Sequence, residues 1–105
     1  MSIEIMASGS LVIDPVERLD SIQPYIGFTM VVDVNNGEGK EPVWIDAQVS
    51  GLLTQRAIKL KKGDGVWIRG HCTIRRYTHK THERQAWLMH VNELITARET
   101  HTRTR

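Results

Sequence analysis

The segment from Gly63 to Tyr77 combines aromatic and basic side chains in an alternating pattern. After the Gly63-Asp64-Gly65 turn signal, one face of the predicted strand is apolar, with Val66, Ile68, Cys72 and Ile74. The opposite face carries Trp67, Arg69, His71, Thr73, Arg75 and Tyr77. Exposed rings between guanidinium groups can stack on flat bases and neutralise phosphates. The alternative is a half-buried strand whose two rings cover neighbouring core, because any antiparallel sheet shows this period.

A second alternation, from Val43 to Ser50, places another aromatic ring among polar side chains. Val43, Ile45, Ala47 and Val49 share one face, and Trp44, Asp46, Gln48 and Ser50 share the other. Trp44 is therefore predicted on the solvent side. It either contacts a ligand there or shields a sheet edge as a cross-strand partner.

Length and cysteine content predict a single domain in a reducing compartment. A chain of 105 residues can bury one core without covalent links. The lone cysteine, Cys72, excludes an internal disulfide and is expected to be buried. The N-terminus resembles no signal peptide, and no run approaches the ~20 apolar residues of a membrane span. We therefore expect a cytoplasmic protein with no membrane association.

Charge is distributed unevenly along the chain. Residues 1–50 carry two basic and eight acidic side chains, whereas residues 51–105 carry twelve basic and four acidic ones. A basic half can bind a polyanion, but it can equally form one side of a charge-complementary fold or oligomer. Charge alone therefore does not identify nucleic acid as the partner.

No pattern in the sequence indicates catalysis or a metal centre. The candidate metal ligands are His71, Cys72, His79, His82 and His90. Adjacent strand positions place His71 and Cys72 on opposite faces, and a lone cysteine lacks the paired spacing of zinc sites. A phosphate-binding glycine loop, a nucleophile elbow and an obvious carboxylate pair are all missing from the sequence. We expect a protein that is not an enzyme and that uses no cofactor and no metal.

The remaining patterns predict an all-β domain. Strands are expected at residues 3–13, 27–34, 43–50, 63–77 and 85–95, with a short helix within 51–62 that ends at Gly63. Gly9 is expected at a bulge or bend, residues 35–42 and 78–84 in polar connections, and residues 16–26 remain unassigned. Five strands with one short helix between strands 3 and 4 describe a small closed barrel. The domain is expected to end at residue 97, followed by a basic, disordered tail at 98–105.

This order resembles the OB-fold, and four segments resemble bacterial single-stranded DNA-binding proteins. The matching segments are Gly9 with 14–18, 44–51, 60–70 and 75–77. The resemblance implies that Trp44 and Tyr77 are base-stacking rings, and Trp67 falls where the family commonly has an aromatic residue. Ser50 departs from the pattern, since the family usually has an aromatic residue there. The family's acidic C-terminal tail is also absent, and in this respect the chain resembles the primosomal replication protein N, a dimeric relative.

Together, the residues and the resemblance predict an OB-fold protein that binds single-stranded DNA with little sequence preference in replication, recombination or repair. The expected contact residues are Trp44, Trp67 and Tyr77 for the bases and Arg69, Arg75, Arg76, Lys80 and Arg84 for the backbone. The resemblance implies a homodimer or homotetramer, with replication or primosome proteins as further partners. Two alternatives remain open: a protein-interaction adaptor on the same barrel, and binding of single-stranded RNA. Exposed rings favour nucleic acid, and rings buried in a subunit interface favour the adaptor.

Deleting residues 99–105 should leave the fold intact, because no apolar residue follows Ala97. The two arginines removed should contribute only a modest, salt-screened share of nucleic-acid binding. Thermal unfolding of the truncated and full-length chains tests this expectation. A truncated chain that is unfolded at room temperature would place the segment within the domain.

Overall fold

Six strands and one short helical segment make up the part of the chain described in this computed structural model, residues 2–19, 22–35 and 37–96. The strands are β1 (Ser2–Leu11), β2 (Val16–Arg18), β3 (Tyr25–Asn35), β4 (Lys40–Val49), β5 (Gly65–His79) and β6 (His82–Thr96). A 3₁₀ turn (Gly51–Leu53) leads into the helix α1 (Thr54–Ala57) between β4 and β5. The domain end and the tail were predicted within residues 97–105, which lie outside the described residues.

Five of the strands close into a barrel. The sheet runs β1-β5-β6-β4-β3-β2, and a further pairing of β1 with β3 joins its two sides. All neighbours are antiparallel except β4 and β6, which run parallel from Ile45↔Trp87 to Gln48↔His90. The predicted five-stranded barrel with a short helix between its third and fourth strands is confirmed. The additional short strand β2 extends the edge of β3 in the segment that the sequence left unassigned.

The barrel interior follows the predicted alternation closely. The largest fully buried side chains are Met30, Ile68, Met89, Leu94, Val49 and Cys72. On β4, Ile45, Ala47 and Val49 are buried while Trp44 is exposed, as predicted. Burial raises the pKa of the Cys72 thiol by desolvating the thiolate, which keeps this cysteine a neutral core residue.

Several element boundaries differ from the prediction. The helix ends at Ala57 and does not reach Lys62, because the following chain forms turns fixed by two carboxylates. The Lys61 N–H donates to Asp64 Oδ2 at 2.9 Å, and the Lys62 N–H donates to Asp14 Oδ1 at 2.8 Å. The strands β5 and β6 also extend to His79 and His82, so most of the predicted loop at 78–84 is a hairpin. The connection predicted at 35–42 is likewise shorter, since β3 ends at Asn35 and β4 begins at Lys40.

Two glycines permit the close strand approaches on which the barrel depends. A β-carbon on Gly9 would lie 2.1 Å from the Val31 carbonyl oxygen, and one on Gly70 would lie 1.9 Å from that of His90. The pairing of β1 with β5 continues without a shift through Gly9, so the predicted irregularity there is not a bulge but a close contact with β3. The register shift lies instead between Arg69 and Gly70 on β5.

In the described residues, no helix is long and apolar enough to cross a membrane.

Gly9→Ala and Gly70→Ala should each destabilise the fold by about 1–3 kcal/mol, because the new methyl group would overlap a carbonyl oxygen of a neighbouring strand. Gly27→Ala is the matched control, since its β-carbon would meet the nearest atom at 3.5 Å. That variant should stay within about 0.5 kcal/mol of the parent. Urea denaturation of the three variants measures the difference, and equal stabilities would contradict the close approaches.

Candidate nucleic-acid interface

The distal part of the β5–β6 hairpin forms an arm that extends beyond the barrel. The pairing of β1 with β5 reaches only as far as Thr73, and the pairing of β4 with β6 begins only at Trp87. Between these limits, and among the residues that the structure describes, residues 74–86 form ladder pairs only within the hairpin. Ile74, which was predicted on the apolar face with Val66, Ile68 and Cys72, is consequently 38% exposed and is not a core residue.

A groove of about 910 Å³ opens where β4 diverges from this arm. It is lined by Pro42, Val43, Trp44, Arg76, Tyr77, Glu83, Gln85 and Trp87. Three aromatic residues from three strands therefore line this space: Trp44 from β4, Tyr77 from β5 and Trp87 from β6. Trp44 is 57% exposed and Tyr77 48%, whereas Trp87 is half-buried and packs against the core.

The polar side of the groove holds a pair of opposite charges. Arg76 Nη1 lies 3.8 Å from Glu83 Oε1, and the two side chains are 72% and 69% exposed. Gln85 lies opposite Arg76 in the ladder. An ion pair this exposed adds little to stability, so both side chains can exchange their contact for one with a ligand.

The structure does not bring all the predicted contact residues to this groove. Trp67 is 54% exposed but precedes Tyr77 by ten strand residues, about 33 Å along β5. Arg69 lies near Trp67, where its guanidinium donates to Glu93 and its Nε lies 4.0 Å from Glu4. Both residues lie on the outer face shared by β1, β5 and β6, at the opposite end of the strand from the groove.

The remaining predicted basic residues belong to the arm. Arg75 is exposed, is not among the lining residues and shares its strand face with Tyr77. Lys80 is exposed in the turn at the tip. Arg84 lies opposite Tyr77 in the ladder, but its side chain lies outside the described part of the structure.

The sequence did not reveal five of the groove residues, namely Pro42, Val43, Glu83, Gln85 and Trp87. Trp87 lies within an apolar strand segment, and a tryptophan there is expected to be core. Its position beside the groove follows from the hairpin register, which pairs it with Ile74. A two-residue turn at the tip fixes this register, and neither Lys80 nor Thr81 is a residue that marks such a turn in a sequence.

The candidate metal ligands do not form a cluster in the described residues. His71 is exposed and Cys72 is buried, which confirms that they lie on opposite faces. Among residues 2–19, 22–35 and 37–96, no group of three or more histidine, cysteine, aspartate or glutamate side chains could hold a metal ion. The side chain of His79 is outside the described set.

Comparison with solved structures identifies the fold. A small single-stranded DNA-binding protein from Streptomyces coelicolor superposes with a TM-score of 0.73 at 19% identity, covering 91% of this chain and 94% of that one. A Plasmodium falciparum SSB in complex with ssDNA superposes with a TM-score of 0.61 at 18% identity, covering 89% and 92%. No family model and no curated protein sequence matches the chain. The barrel is therefore an OB-fold like that of small single-stranded DNA-binding proteins, as the sequence resemblance predicts.

Thr81→Gly should stabilise the protein, because Lys80 and Thr81 both have positive φ, 50° and 68°. A β-branched residue in this left-handed region costs about 1–2 kcal/mol that glycine avoids. Thermal unfolding should show a higher melting temperature for Thr81→Gly. The control is Thr78→Gly, at an exposed strand position of the same arm, which should lower it. A lower melting temperature for both variants would contradict the turn geometry.

Proposed function

We propose that this chain is a non-enzymatic protein that binds single-stranded DNA, with bases stacking in the groove between β4 and the arm. The observation that carries the proposal is the exposure of Trp44 and Tyr77 beside a solvent-open groove that Trp87 also lines. Base–aromatic stacking contributes about 1–3 kcal/mol per base and tolerates any base. The function stated for the Streptomyces coelicolor and Plasmodium falciparum proteins of the same fold supports the same assignment.

The proposed backbone path follows the basic side chains of the arm. Arg75 lies next to the groove on β5 and Lys80 lies at the tip, both open to solvent. Arg84 belongs to the same proposed path. Phosphates that follow the arm would bring their bases towards the groove, so stacking and charge neutralisation act on the same nucleotides. Trp67 and Arg69 join this path only if the strand continues along the outer face of β5 towards the other end of the barrel.

Single strands fit this arrangement better than duplex does. Stacking on Trp44 and Tyr77 needs a base face that is not already covered by its neighbours, and duplex bases present only their edges. The exposure of Trp44, Trp67 and Tyr77 in the chain supports nucleic-acid binding over the adaptor alternative.

We also propose a homo-oligomer that acts in replication, recombination or repair. Ile3 to Ser8 of β1 form ladder pairs with β5 on one side, and among the described residues no strand pairs with their other side. An unpaired edge with exposed Ile3 and Met6 is suited to pairing with a second copy. A homodimer or homotetramer would lengthen the track available to one DNA strand.

Trp44→Ala and Tyr77→Ala should each weaken binding of a labelled oligothymidine about tenfold, because each removes a stacking surface. Their melting temperatures should stay close to the parent value, since both rings are half-exposed. Ile68→Ala is the opposite control, because a cavity at this buried position costs about 2–5 kcal/mol of stability. Fluorescence anisotropy measures binding, and thermal unfolding measures stability.

Trp67→Ala is the positional control for the same measurement. A tryptophan of similar exposure outside the groove should weaken binding less than Trp44→Ala does. A duplex of equal length should bind more weakly than the oligothymidine at every salt concentration. Equal affinities for duplex and single strand would overturn the proposed function. Lost stability with unchanged affinity in the two groove variants would instead favour the adaptor.

A further inference from the structure

We propose that Tyr25 is a further base-stacking ring, which extends the track for single-stranded DNA from Trp44 across β4 and β3 to β2. The inference rests on the proposed function and names a second contact area for the same ligand, away from the groove beside the arm. Its starting observation is a hollow of about 290 Å³ where β2, β3 and β4 lie side by side. Tyr25 lines this hollow and is partly exposed, and the sequence did not predict it as a contact residue.

The strand register places Tyr25 and Trp44 on the same face of the sheet. Trp44 lies opposite Val31 in the ladder between β3 and β4, and Tyr25 precedes Val31 by six residues. Since side chains alternate along a strand, this even separation keeps Tyr25 on the outer face, where Trp44 is exposed. The separation corresponds to about 20 Å along β3. At about 3.4 Å for each stacked nucleotide, a strand of about seven nucleotides reaches from one ring to the other.

Gly27 opens the hollow beside this ring. It lies between Val16 of β2 and Gln48 of β4 in the two ladders, and its missing side chain leaves a gap on the outer face. A β-carbon on Gly27 would lie 3.5 Å from Cε2 of Tyr25, so the edge of the tyrosine ring lies directly beside the gap. An aromatic ring beside a strand glycine stabilises a sheet by itself. The partial exposure of the Tyr25 ring leaves it able to stack on a base as well.

The polar side chains around the hollow suit a nucleotide of any sequence. Arg18 lies opposite Tyr25 in the ladder between β2 and β3 and is exposed, so its guanidinium can bind the phosphate of a nucleotide stacked on the ring. Asp46, the only anion of the described lining, accepts a hydrogen bond from Thr29 Oγ1 at 2.9 Å, and Arg18 offsets its charge. The Gln48 amide both donates and accepts hydrogen bonds, so it can bind the edge of every base.

The experiment measures binding of labelled oligothymidines of about four and about sixteen nucleotides by fluorescence anisotropy. Tyr25→Leu should weaken binding of the longer strand about fivefold, the lower end of what one stacked base contributes, because the ring is only partly exposed. The shorter strand should lose less than about twofold, since it stacks on Trp44 and Tyr77 without reaching Tyr25. Tyr25→Phe is the matched control, because it keeps the ring and should bind both strands as the parent chain does.

A photochemical cross-link on the parent chain tests the same contact without a substitution. The longer strand, with 5-iododeoxyuridine in place of thymidine, is irradiated in the complex, and the cross-linked tryptic peptides are identified by mass spectrometry. Tyr25 should give a cross-link within residues 19–40, whose only other aromatic residue is the buried Phe28. Cross-links to Trp44 fall in a separate peptide, residues 41–56.

The possible outcomes separate this inference from the proposed function. The inference is overturned if Tyr25→Leu weakens neither strand or both equally, if Tyr25→Phe weakens the longer strand as much as Tyr25→Leu does, or if residues 19–40 give no cross-link. The proposed function stands in those cases, provided that the longer strand binds the parent chain and Trp44→Ala weakens that binding. If neither oligothymidine binds the parent chain, the proposed function is overturned together with the inference.

Discussion

The pairing of β1 with two different strands, first β5 and then β3, is the constraint on which the rest of the structure depends. β1 pairs with β5 as far as Ser10, and at Ser10 and Leu11 it also pairs with β3. Without this second pairing, the five strands would form an open sheet with two edges. The transfer requires the backbones to approach so closely at Gly9 that a side chain would overlap the Val31 carbonyl. The absence of a β-carbon at one position thus allows the barrel to close and bury its core.

The closed barrel also determines where the arm begins. Since β1 and β4 cover only the proximal parts of β5 and β6, residues 74–86 continue as a two-stranded hairpin. Such a hairpin is marginally stable on its own, so this one depends on its attachment to the barrel. Trp87 lies at the attachment, where its ring contacts the core on one side and borders the groove on the other.

The alternation of apolar and polar residues correctly predicted the faces of those strand segments that have a paired strand on both sides. From Val43 to Val49 and from Val66 to Cys72, period-two patterns gave the correct faces because the barrel buries one side of each strand. Beyond Thr73 the pattern of apolar and polar residues continues, but it no longer marks a buried face, since among the described residues no third strand pairs with the hairpin there. Ile74 is apolar and exposed for this reason, and Trp87 belongs to the groove although its sequence context is that of core. Both outcomes depend on where neighbouring strands stop, which no short sequence window contains.

The arginines of β5 show that a short sequence window also fails to predict which charges are available to a ligand. Arg69 and Arg76 occupy one strand and were both predicted to contact a nucleic-acid backbone. Arg69 lies between Glu4 and Glu93, two carboxylates supplied by the neighbouring strands on either side. Arg76 faces one carboxylate from β6, on the arm, where β1 no longer contributes a residue. Carboxylates of neighbouring strands therefore neutralise part of the positive charge of β5 on the barrel. As a result, the electrostatic potential that a polyanion meets differs between the two ends of this strand. Sequence alone places these residues on β5, but the strands beside them decide which charges a ligand can reach.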